Sequence, residues 1–159
     1  MSLINDLDLK EFTDNSVNNV FNTMLSMELK QFEADSQVEV GDSRIVGSVS
    51  FAGKAVGTIR IHITTDFAKI ITCAMLDMEL DEVEDEEITD VIGELSNMVG
   101  GNLKSRFCDS GLTCAISIPS ITKGSNFKIE SMDWERCEYF GFRYQEYTAL
   151  VEVVLKQGK

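Results

Sequence analysis

The sequence predicts an α+β fold: a single domain in which two long helices pack on a mainly antiparallel β-sheet. Three observations predict it. Apolar residues recur at helical spacing near the N-terminus and again over 88–107. They alternate at period two over 43–63 and within 137–155. Helical and strand patterns occupy separate stretches, with no Pro/Gly/Ser-rich linker or repeat between them. A length of 159 residues suits one ordinary core, so 1–159 is read as one domain.

The first helix is expected from Asp14 to about Lys30, where Val17, Val20, Phe21, Met24, Leu25 and Met27 keep helical spacing and Thr13 or Asp14 can cap. Gly41-Asp42 reads as a turn. Residues 43–52 then place Ile45, Gly47, Val49 and Phe51 on one face, and 55–63 place Ile59, Ile61 and Ile63 opposite Arg60 and His62. With Gly53-Lys54 between them, these two runs form a β-hairpin. Thr65 or Asp66 caps a short helix to about Leu76, and a longer helix follows from about Val83 to Phe107. Residues 112–118 read as a strand stopped by Pro119, the only proline, and 123–126 as a loop. Strands at about 137–144 and 147–155 meet at Gln145-Glu146. The second is apolar on both faces, as a buried or interface strand is.

Charge narrows the function. With 14 Lys+Arg against 27 Asp+Glu, the net charge of -13 repels phosphate backbones and anionic lipid. Neither nucleic acid nor a membrane surface is an expected partner. No apolar run approaches a membrane span and the N-terminus lacks a signal-peptide pattern, so a cytoplasmic location is expected. Cys73, Cys108, Cys114 and Cys137 show no CxxC spacing, and His62 is the only histidine. Free buried thiols are expected, with no disulfide framework, metal site or His-dependent nucleophile.

The long helix carries the chemical signal. At about 100° per residue, Ile88, Val91, Ile92, Leu95, Met98, Val99 and Leu103 form a core stripe. The opposite side gathers Asp90, Gly93, Glu94, Asn97, Gly100, Gly101 and Lys104. Three helix-interior glycines cost about 0.8–1 kcal/mol each relative to alanine. Either another element of the chain packs closely there, or the glycines clear room for a partner to reach Glu94 and Asn97. Those two residues lie three apart and project side by side. A carboxylate can grip a partner's cation, and an amide can orient a water. The pair lacks a nucleophile and does not suffice to chelate a metal, so it suits a site whose electrophile belongs to a partner.

The segment Asp90-Val-Ile-Gly-Glu94-Leu-Ser-Asn97, followed by Ser117-Ile-Pro119, resembles the E-xx-N helix and proline loop of the CheC/CheX/FliY chemotaxis phosphatases. Val20-Phe21-Asn22-Thr23-Met24 is similar to the opening helix of CheX-like members. The resemblance implies a phosphatase acting on the aspartyl phosphate of a CheY-like response regulator. Glu94 and Asn97 would be catalytic, and Asp90, Gly93, Gly100, Gly101 and Lys104 would face the partner. Mg²⁺ would sit on the regulator, with no cofactor in this chain, and a homodimer is implied. On the first helix Asp14, Asn18 and Phe21 stand where a second motif would be, so one site is expected. A module that docks a receiver domain without dephosphorylating it is the alternative. The acidic run Asp77–Asp90, with nine Asp or Glu, reads either as helix-terminal charge or as steering toward a basic partner.

Overall fold

A computed structural model describes residues 3–34, 43–125 and 133–159. The expected turn at Gly41-Asp42 and Asn126 of the expected loop lie outside them. After a short 3₁₀ turn at Leu3–Asp6, helix α1 runs Leu9–Leu25, earlier than expected. Asp8, not Thr13 or Asp14, caps it by accepting from the Glu11 N–H at 3.1 Å. The helix stops because Ser26 turns left-handed at φ 54°, which brings the Met27 N–H to the Phe21 carbonyl at 3.1 Å. Met27 and Leu29 still enter the core, but from the segment beyond the helix end. Their apolarity extended the helical pattern past its true end. A strand the sequence reading missed, β1 (Lys30–Glu33), follows at once.

The hairpin forms as expected from β2 (Ser43–Gly53) and β3 (Ala55–Thr64), paired with Val49 opposite Ile59. Helix α2 (Thr65–Leu76) is capped one residue earlier than expected, Thr64 Oγ1 accepting from Phe67 N–H at 3.1 Å. Helix α3 spans Asp85–Asp109. Its start is a reciprocal cap in which Glu84 N–H donates to Glu87 Oε1 at 2.8 Å, and Glu79 and Glu82 repeat the device just before it. Part of the acidic run therefore has a helix-terminal role.

The expected strand 112–118 contracts to β4 (Cys114–Ile116), and the expected loop at 123–126 is partly strand β5 (Ser120–Ser125). Both pair with the same edge of β2. Between them Pro119 has no N–H to donate, so the ladder breaks and resumes. Strands β6 (Arg136–Tyr144) and β7 (Tyr147–Gln157) complete an antiparallel sheet ordered β1-β6-β7-β3-β2-β4, with β5 also on β2. Strand β7 lies inside the sheet, between β6 and β3. Burial on both faces accounts for its composition.

The three helices cover one face of this sheet. Phe51 of β2 meets Phe107 of α3 edge-to-face at 5.2 Å, and Phe67 of α2 stacks on Tyr147 at 5.3 Å. The other face carries a buried polar cluster. Glu152, 1% exposed, accepts from Arg60 at 3.1 Å and from the Tyr139 hydroxyl at 3.3 Å. Burial first, then the neighbouring Cys137 and Glu152, push the Tyr139 phenol above its ordinary range. His62 lies 3.6 Å from Glu152 and is buried, although its alternation with the Ile positions marked it as polar-facing. The thiols are free, as expected, but only Cys114 is buried and Cys137 is exposed. Among the described residues no helix is long and apolar enough to cross a membrane.

Candidate functional site

Helix α3 lies over β2, and two close approaches fix it there. Gly47 of β2 leaves the space that the Ser96 hydroxyl occupies. Gly100 of α3 sits against Val49, where an added Cβ would fall 2.9 Å from Cγ1. Gly100 is therefore a packing glycine and does not face a partner. Gly93 is also buried, beneath Pro119 and Ile121, whose atoms would lie 3.9 and 4.0 Å from its Cβ. Helical spacing alone puts both on the outer side, because it allows only for a narrow core stripe. The sheet and the β4–β5 connection together cover a much wider arc of the helix.

What remains outward is a narrower row. Asp90 and Glu94 are exposed, Asn97 is half-buried, and a Cβ on Gly101 would meet nothing within 4 Å. At about 100° per residue these four positions fall within about 60° of arc. Neither the Glu94 carboxylate nor the Asn97 amide bonds to any described residue. Lys104 continues the row one turn beyond Gly101, about 20° from Asn97 on the helix. It is half-buried, and its charge acts on the Cys114 thiol, opposing the burial that raises that thiol above its usual range.

The row is walled on both sides. On one, Gly101 and Met98 open onto a groove of ≈ 370 Å³ against Thr23 and Met24 of α1, where Asn19 Nδ2 donates to Asn102 Oδ1 at 2.9 Å. On the other stands the Ser117–Pro119 connection. Helix α1 offers no matching pair. Asn18 Nδ2 donates to Asp14 at 3.1 Å while its Oδ1 accepts from Leu29 N–H at 2.8 Å, so that amide is a structural clamp.

Residues 45–143 match the family model of the chemotaxis phosphatase CheX. The chain belongs to the CheX family. Its likeness to solved CheX structures extends over nearly its whole length. The chemotaxis protein CheX from Vibrio vulnificus is 25% identical, with a TM-score of 0.80 over 94% of this chain and 97% of that one. A CheC-like superfamily protein from Shewanella sp. PV-4 is 27% identical, TM-score 0.78, over 94% and 98%. The CheX of Borrelia burgdorferi, solved in complex with CheY, BeF3 and Mg²⁺, shares the fold at 20% identity, TM-score 0.77, over 94% and 99%. No protein of curated function matches the chain in sequence. Within this CheX-family chain the E-xx-N helix is α3, and its outward row is Asp90, Glu94, Asn97 and Gly101.

Proposed function

We propose that this chain hydrolyses the aspartyl phosphate of a CheY-like receiver domain, with Glu94 and Asn97 of α3 supplying its side of the reaction. Water attacks the phosphorus, the bond to the aspartyl oxygen breaks, and carboxylate and inorganic phosphate leave. Asn97 holds that water in line, its Oδ1 accepting a hydrogen bond from the water, and contributes position rather than new bonds. Glu94 grips a cationic side chain of the receiver. Mg²⁺ is assigned in this reading to the receiver, a choice supported by the B. burgdorferi CheX–CheY complex, which was solved with Mg²⁺.

One observation carries this reading. An asparagine in a helix interior is unfavourable by itself, yet among the described residues Asn97 keeps an unpartnered amide beside an unpartnered carboxylate and the open space at Gly101. Membership of a phosphatase family, and the B. burgdorferi CheX–CheY complex, support it. The experiment follows the lifetime of a phosphorylated receiver. Asn97→Ala should leave docking nearly intact and slow dephosphorylation by about 10²–10³. Glu94→Ala should chiefly weaken binding. Full activity in Asn97→Ala would exclude this face as the site. The same reading takes the active chain to be a homodimer, which light scattering at tens of micromolar would test.

A further inference from the structure

An isoleucine is the most exposed large apolar residue among those described. Ile118, at the break between β4 and β5, is 86% exposed. A loose loop would make that unremarkable, but this one is pinned at both ends. On its N-terminal side Ser117 stitches the connection to β2. Its N–H donates to the Ser50 carbonyl at 2.9 Å, its hydroxyl accepts from Ser50 N–H at 3.0 Å, and that hydroxyl donates to the Ile118 carbonyl at 2.9 Å. On its C-terminal side Pro119 fixes φ and rests over Gly93 of α3, and Ser120 re-enters the ladder opposite Ser48. The edge bulge thus presents one apolar side chain in a fixed place, immediately before the Pro119 that rests over Gly93, the residue preceding Glu94.

The surroundings define what it meets. From Ser110 to Thr122 the sequence holds no charged residue, within a chain of net charge -13. The adjacent α3 row is acidic through Asp90 and Glu94. A complementary surface therefore has an apolar recess beside a cation.

We infer that Ile118 is a docking anchor: it seats in an apolar recess of the receiver domain next to its phosphorylated aspartate and so fixes the approach of Asn97. The inference rests on the reading of this chain as a receiver phosphatase. A preorganised apolar knob loses little freedom on binding, and its burial acts in the ground state and the transition state alike. Truncating it should raise KM and leave kcat alone, the opposite of truncating Asn97.

The test uses the full chain and one receiver domain. Binding is measured to the receiver charged with beryllofluoride, and turnover to the receiver phosphorylated by a small-molecule donor. Ile118→Ala should raise both Kd and KM by about 30-fold or more, the usual scale for a buried anchor. Its kcat should stay within about twofold, and Ile118→Leu should restore most of the affinity. Ile118→Asp should bind more weakly still, and all three variants should melt with wild type because the side chain is exposed. Wild-type Kd and KM in both Ile118→Ala and Ile118→Asp, with Asn97→Ala still inactive, overturn the anchor and spare the phosphatase reading. Wild type that neither binds nor dephosphorylates the receiver overturns both.

Discussion

Alanine will stabilise the chain at position 101 and not at position 100, although the two glycines are neighbours on one helix. Each substitution makes the same change to the unfolded chain and gains the same helix propensity, about 0.8–1 kcal/mol. The folded state separates them. At Gly101 the new Cβ meets nothing within 4 Å, so the gain is realised in full. The melting temperature should rise by about 2–4 °C for a domain of this size. At Gly100 the new Cβ would lie 2.9 Å from Val49 Cγ1 and 3.1 Å from its Cβ. Carbon contacts settle at about 3.5–4.0 Å, so helix and strand must part by about half an ångström or Val49 must rotate. Val49 is buried and β-branched, with little rotamer freedom. Overpacking of this kind costs about 1–3 kcal/mol, which cancels or exceeds the propensity gain. Urea unfolding of both variants beside wild type measures the difference, which should be about 1–3 kcal/mol in favour of Gly101→Ala. Equal shifts would refute this account of why α3 carries glycines. Gly101→Leu then isolates function: it should unfold no more easily than wild type and still lose phosphatase activity, because its bulk stands one turn from Asn97.

Three further outcomes follow from other parts of the molecule. Ser26→Gly removes the strain of a left-handed non-glycine residue at φ 54° and should stabilise by up to about 1 kcal/mol in thermal melts. A thiol reagent followed by mass spectrometry should modify exposed Cys137 first, and Cys114 only on unfolding, since burial both shields that thiol and raises it above its ordinary range. If the acidic stretch before α3 steers the receiver, the association rate should fall as salt rises toward about 0.1 M, where screening acts over ~10 Å; a salt-independent rate would leave those residues with their capping role alone.

The sheet hairpin, α2, α3, β6 and β7 were legible because period and turn chemistry agree there. Misreadings arose where a second constraint overrode the pattern. Met27 and Leu29 are core residues outside the helix, and only the left-handed Ser26 tells them from a last helical turn. Strand β5 is almost wholly exposed, so it has no apolar alternation to read, and its existence depends on the open edge of β2. Of the candidate site, the outward placement of Glu94 and Asn97 side by side was visible from spacing. The roles of Gly93 and Gly100 were not. Whether a helical glycine faces a partner or a strand depends on what lies across from it, and Pro119 and Val49 are distant in sequence.

Two asparagines on the two long helices give the sharpest contrast between fold and function. Asn18 and Asn97 are both interior helix positions, and alanine at either should gain roughly 0.5 kcal/mol of helix propensity. Asn18 offsets that loss twice, by accepting from Leu29 N–H and donating to Asp14. Its removal leaves the part-buried Leu29 N–H without an acceptor, at about 1–3 kcal/mol, so Asn18→Ala should destabilise the chain on balance. It should not reduce turnover of a phosphorylated receiver, because that amide is occupied within the fold. Asn97 has no such compensation among the described residues. Asn97→Ala should therefore melt at or slightly above wild type while losing about 10²–10³ in dephosphorylation rate. Paired melts and phosphate-release rates decide the matter. Loss of stability in Asn97→Ala would mean that its amide serves the fold. A residue that costs stability, makes no hydrogen bond to the described residues and stands beside a carboxylate equally without one there suits the role proposed for it in a partner's site.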